Sequence, residues 1–263
     1  MTEAVVPHPS DPGASAWREL FASGQSWVVP FDRAAALRRL RGSVVVMVGC
    51  AVVIAAWMTL TVVILTTGFV APAYAWICGL LAVAFSFIFV RFYLTHRRMR
   101  IARASTAEYL VVSAEGLRVA GHVTVPWSVV GGGIGVDARN EVQPAYRAFA
   151  VGVEQYAGVM QAEFALSVRG VRSLRDAAPR DLRALFEVIG THGGIRIPID
   201  TMVPPVHVVR AMEAICVAGL MSGANVEISS DRGRVFTRVM DVLGPGRRRY
   251  PIGEGRPKRS GDK

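Results

Sequence analysis

Residues 42–90 read GSVVVMVGCAVVIAAWMTLTVVILTTGFVAPAYAWICGLLAVAFSFIFV. These 49 residues contain no Asp, Glu, Lys, Arg or His. As one helix they would measure roughly 70 Å at 1.5 Å per residue. The hydrocarbon core of a bilayer is only about 30 Å thick, so such a segment must fold back once. Turn signals lie at Thr66-Thr67-Gly68 and at Pro72. The expected result is a transmembrane hairpin over 43–94, with spans at about 44–66 and 72–94.

The flanks set the expected orientation. Arg33, Arg38, Arg39 and Arg41 precede the first span; Arg91 lies in the last turn of the second, and Arg97, Arg98, Arg100 and Arg103 follow it. The connecting loop has no basic residue. Basic residues concentrate on the cytoplasmic side of membrane helices. Both termini are therefore expected in the cytoplasm, the protein being two-pass in the inner (plasma) membrane. Tyr74 and Trp76 mark the outer interface, Phe92 and Tyr93 the inner one. The first span begins too deep in the chain, and is too long, for a signal-peptide core of about 7–15 apolar residues. No Asp, Glu, Lys, Arg or His lies in the bilayer interior over residues 42–90, which argues against an ion or proton path.

Small residues recur at helical spacing: Ala51, Ala55 and Thr59 in the first span, and Ala75, Gly79, Ala82 and Ser86 in the second. Such faces let helices approach closely. Packing of one span on the other is the simpler expectation; a homo-oligomer or another membrane protein is the alternative.

Hydrophobic residues make up 52% of the 263-residue chain, with mean hydropathy +0.36. The excess sits in the hairpin. The net charge is +10. The arginines at the span ends account for much of it by topology, and they would also meet anionic lipid head groups at Arg38, Arg39, Arg41, Arg97, Arg98, Arg100 and Arg103. A second basic cluster, Arg247, Arg248, Arg249, Arg256, Lys258 and Arg259, lies in a Gly- and Pro-rich end. Residues 226–263 are expected to form a polar, disordered tail. Its end, residues 244–263, could touch lipid, an acidic partner or nucleic acid; with Tyr250 the one aromatic of that stretch, base stacking is disfavoured.

Residues 1–14 are rich in Pro, Ser and Gly and are expected to be disordered. Residues 15–42 form a juxtamembrane segment. There Trp17, Leu20 and Phe21 share a short amphipathic turn, and Trp27, Val28, Val29 and Phe31 either lie in the interface or pack on the soluble domain.

After residue 104 the pattern changes to short alternating runs. EYLVVS, GLRVAG and HVTVPW read as strands, and SVVGGGIGVDARN as a further strand bulged at its glycines. YRAFAVGVEQ and VMQAEFALSVRG read as a hairpin. PRDLRALFEVIG reads as an amphipathic helix, with Leu182, Leu185, Phe186 and Ile189 on one face. A further helix is expected at about 204–221, packed on the domain. Trp127 is expected as a core anchor whose indole N–H needs a partner.

The run EYLVVSAEGLRVAG, the following VPWSVVGG, the strand LSVRG and PRDLRALFEVIG resemble the bacterial pleckstrin-homology-like (bacterial PH) domains that often follow a two-span hairpin. The resemblance covers roughly residues 105–192 of a domain spanning 104–225, and the usage of Ala, Val, Arg and Gly is similar to that of actinobacterial proteins. It implies an α+β membrane protein: a transmembrane helical hairpin, then a small antiparallel β-rich domain with one or two packing helices. The implied role is an interaction or scaffold module. The alternative is an accessory subunit of a membrane transport or envelope-assembly complex.

Catalytic chemistry finds no footing in the sequence. Gly131-Gly132-Gly133-Ile134-Gly135 lacks the sixth-position glycine and following helix of a dinucleotide fingerprint. There is no HExxH, P-loop or GxSxG. His8, His96, His122, His192 and His207 are scattered, and Cys50, Cys78 and Cys216 form no CxxC pair. No catalytic residue, metal or cofactor is expected.

Overall fold

The computed structural model describes residues 12–68, 70–105, 107–139, 161–189 and 192–229. The basic tail residues, the run YRAFAVGVEQ and residues 1–11 lie outside them.

The chain divides into two compact units. The helical unit holds α2 (Arg33–Thr67) and α3 (Ala73–Met99). The two are long and apolar enough to cross a membrane. Buried residues make up 11% of the most apolar stretch of the first and 17% of that of the second. A core helix of a soluble protein would be mostly buried instead. Tyr74, Trp76, Leu80, Phe87, Val52 and Leu65 all face outward.

The second unit is discontinuous in sequence. It takes α1 (Pro12–Ala22) and β1 (Trp27–Pro30) from before the hairpin, and the described elements from β2 onward after it. Pro12 opens α1, where its missing N–H is no loss. Gly24, at φ +75°, closes it, with Gln25 N–H donating to Leu20 O, as a glycine in left-handed conformation permits.

β1 joins β2 (Glu108–Val112), β3 (Gly116–Val119) and β4 (Val123–Pro126) in a four-stranded antiparallel sheet of that order. Val28 lies opposite Val111, Leu110 opposite Val119, and Leu117 opposite Val125. The alternation expected from sequence holds. Val29, Leu110, Val112, Leu117, Val119, Val123 and Val125 are buried, while Val28, Arg118 and Thr124 are exposed. Of the segment 27–31, for which an interfacial position was one of two expectations, Trp27–Pro30 is a strand of the β-rich unit.

The second sheet runs β7-β8-β6-β5-β9, built from β5 (Val130–Asp137), β6 (Ala162–Val168), β7 (Phe186–Ile189), β8 (His192–Pro198) and β9 (Asn225–Ser229). Of its four neighbouring pairs, three are antiparallel and β5 with β9 is parallel. The chain reaches β9 through α6 (Val208–Met221), a crossover of the kind that parallel pairing requires. The glycines of β5 explain themselves here. A Cβ on Gly135 would lie 2.7 Å from Phe164 Cε2 and 3.0 Å from Met212 Cε; one on Gly133 would lie 2.5 Å from Leu166 Cδ2. Phe164, Leu166 and α6 occupy the volume that side chains on β5 would need. The register shifts between Val130 and Gly132, at the glycines where bulges or turns were expected.

Two expectations are corrected. Residues 226–229, expected to open the disordered tail, belong to β9, because β5 offers them a parallel ladder and Val226 is buried. PRDLRALFEVIG is not a helix: Arg183–Leu185 forms a single 3₁₀ turn and Phe186–Ile189 is β7. The short helix, α5, lies earlier at Val171–Ala177. Phe-Glu-Val-Ile alternates as well as it winds, and β8 offers it a ladder with Phe186 opposite Ile195. Pairing decided between two periods that a short apolar window satisfies equally.

Candidate functional site

The hairpin is the most distinctive chemical surface. Along its length, Ile64 packs with Ala75 and Cys78, Trp57 lying against them. At the other end Phe92 packs against Val46 and Met47. Just beyond, Ser43 Oγ donates to Leu40 O (2.7 Å) and lies 2.8 Å from His96 Nδ1. With the hydroxyl proton spent on Leu40, the oxygen accepts from Nδ1–H. This contact brings the start of α2 beside the end of α3. Arg38, Arg39 and Arg41 therefore share one end of the hairpin with Arg97, Arg98 and Arg100. Arg38, Arg41, Arg97 and Arg100 are exposed, and Arg39 and Arg98 half-buried. Arg103 follows, exposed, in α4 (Ile101–Ala104).

Of the small residues of α3, Ala75 and Ala82 are buried, and Gly79 and Ser86 partly so, the Ser86 hydroxyl donating to Ala82 O. In α2, Ala51, Ala55 and Thr59 are exposed. The face of α2 in the hairpin is instead lined by larger side chains: Trp57 and Ile64, with Val46 and Met47.

In the β-rich unit, Trp127 is buried, and its indole N–H donates to Ser113 O at 2.9 Å. Tyr109 is fully buried. Its hydroxyl donates to Pro198 O (2.5 Å), tying the first sheet to the end of β8. Burial, reinforced by the charge of Asp200, pushes the Tyr109 hydroxyl well above its ordinary value. Asp137 takes a bidentate pair of bonds from Arg139, Nε to Oδ1 (2.8 Å) and Nη2 to Oδ2 (2.6 Å). Burial would raise the Asp137 carboxyl; the bonds and charge of Arg139 outweigh it and hold the group below its usual range.

Arg196 of β8 lies between Glu163 of β6 and Glu187 of β7, paired to both. Burial works against its charge, but the two carboxylates prevail and keep the guanidinium protonated. Sequence reading missed this triad, although one signal was present. In Ile195-Arg196-Ile197 the arginine sits alone on the opposite face of a strand from two buried isoleucines. The triad is an ion pair completed within the sheet, with no nucleophile beside it in the contacts described.

A groove of about 460 Å³ crosses the outer face of the first sheet, lined by Ser26, Val111, Ser113, Arg118 and Thr124 among others. Arg118 pairs there with Glu108 at 3.0 Å. Among the described residues no three His, Cys, Asp or Glu side chains cluster as a metal site would require.

Fold and surface together define a mixed α+β protein with two helices long and apolar enough to span a membrane, joined to a small, mainly antiparallel β domain. No protein-family model, curated protein or solved structure matches the chain.

Proposed function

We propose that the chain is a two-pass protein of the plasma membrane, non-enzymatic, which holds its β domain at the cytoplasmic face as an interaction module. The carrying observation is the outward apolar surface of α2 and α3, ending in arginines at one end of the hairpin. Water would not tolerate so large a contiguous apolar surface. Lipid would, and the arginines would then lie at head-group depth, each gaining about 1 kcal/mol near an anionic surface. The Tyr74 and Trp76 rings at the opposite end suit the outer interface. Retention of the first span is supported by β1, which precedes it and packs in the domain.

The pleckstrin-homology-like comparison enters as part of this reading. The antiparallel run β2-β3-β4 and the antiparallel pair β5-β6 are in keeping with that resemblance; the closing helix it implied at PRDLRALFEVIG is absent, Phe186–Ile189 being a strand. The strand contributed from before the hairpin and the parallel β9 depart from it. The partner is read as a protein or a second copy, and the polar groups of the β domain as structural, since Arg196 and Asp137 find their counter-charges within the fold.

The test is extraction and labelling. The protein should resist alkaline carbonate and leave the membrane only in detergent. In a chain with Cys50, Cys78 and Cys216 replaced by Ala, an impermeant maleimide added to intact cells should label Ala71→Cys and spare Ser128→Cys. The reverse pattern would overturn the orientation. Anionic lipid should co-purify in mild detergent, and Arg→Gln at 38, 41, 97 and 100 together should remove that enrichment.

A further inference from the structure

Strand β1 and helix α1 are made before the hairpin, yet the strand and helix that seat them, β2 and α6, are made after it. Phe21 is 1% exposed and Val29 is buried. The Trp17 ring lies 6.0 Å from Phe21 and 4.9 Å from Trp27 between centroids. α1 packs on α6, nearly the last element described, and β1 pairs with β2. A four-residue strand has no stability of its own, and a short amphipathic helix needs a surface to cover. The segment 12–32 therefore cannot fold until both apolar helices and much of the domain have been made.

The junction leaves no slack. Phe31 N–H donates to Ala107 O (3.1 Å) and Asp32 N–H to Met202 O (2.9 Å), and α2 begins at the next residue, Arg33. A residue extends at most about 3.6 Å, so residues 31 and 32 could never bridge about 30 Å of hydrocarbon.

We propose that the β1–β2 seam closes only when both helices have crossed, so that completion of the β domain is conditional on the two-pass arrangement. A chain that crossed once would hold α1 and β1 on one side of the bilayer and β2 onward on the other. Its domain would then expose the core faces that Phe21 and Val29 cover. The inference rests on the reading of α2 and α3 as membrane spans.

The test uses the full chain in membranes. Leu80→Arg with Val83→Arg places two charges in the centre of α3 at outward positions, sparing the packing of the hairpin. Thiol labelling at Ser128→Cys, in the cysteine-free background, reports which side holds the domain. Where the domain is stranded from its N-terminus, limited proteolysis should cleave it more than an order of magnitude faster than in the unaltered chain. A peptide of residues 12–32 added on the domain's side should slow that cleavage. Val29→Arg, with both spans intact, should give the same sensitivity in a correctly two-pass chain. A stranded domain as resistant as the original would overturn the proposal, as would unchanged resistance in Val29→Arg. Release of the unaltered protein by carbonate alone would instead sink the membrane reading on which it stands.

Discussion

Phe31 and Ala107 share a backbone hydrogen bond of 3.1 Å although both long apolar helices lie between them in the chain. The β domain is thus interrupted in sequence by the hairpin. Several of its internal contacts make measurable demands.

Glycine substitutions should rank by what surrounds them. Gly135→Ala drives a methyl into Phe164 and Met212, and overpacking of this kind costs about 1–3 kcal/mol. Gly193→Ala adds a clash with the Glu187 carbonyl to a φ of +147°, and should cost more. Gly79→Ala in α3 meets nothing within 4 Å and should be close to neutral. Denaturant melts of the β domain in detergent would give the order; equal effects at 79 and 135 would contradict the packing described.

Arg196→Met should remove the charge that lies between Glu163 and Glu187. Breaking a buried pair in this way costs about 3–5 kcal/mol. Adding Glu163→Gln and Glu187→Gln should recover part of the loss. If the triple variant is no more stable than Arg196→Met, the arginine matters through packing and not through charge.

The pH limits of stability should carry two signatures. The Asp137 carboxyl is held below its ordinary value, so its contribution is present above about pH 3.9 and fades as pH falls toward the folded value. Asp137→Asn should flatten the acid limb of the stability curve. Tyr109 is held well above 10. Its unfolded form ionises first, so stability should fall as pH rises past about 10. Absorbance of tyrosinate should appear for this residue only on unfolding, and Tyr109→Phe should flatten the alkaline limb.

Cys216 should be inert in the folded protein. Burial, with a lesser push from Glu227, raises its thiol to about 12, and the thiolate is the reactive form. With Cys50 and Cys78 replaced by Ala, iodoacetamide at pH 8 should modify Cys216 only as fast as the domain opens. Rapid modification under native conditions would show that α6 is not seated as described.

What the sequence disclosed follows from the range of each signal. The hairpin was legible because the absence of charge across residues 42–90 is a property of composition, independent of any partner. β2, β3 and β4 were legible because alternation is local. β7 was not, since Leu182, Leu185, Phe186 and Ile189 satisfy a helical period and only the ladder to Ile195 makes Phe186–Ile189 a strand. The role of β1 and the parallel seating of β9 depend on neighbours far along the chain. Spacing also revealed small residues in α2 without revealing that Ala51, Ala55 and Thr59 point away from α3. The Arg196 triad needed strand order before its three members could be seen as neighbours.

Pro30 and Glu108 stand opposite each other at the end of the β1–β2 ladder. In an ordinary antiparallel sheet, two such residues would be joined by a tight reversal of a few residues. Here the reversal is replaced by both apolar helices and their flanks. A chain in which Asn-Gly replaces residues 31–107 would restore the short reversal and should give a water-soluble domain with the same nine described strands.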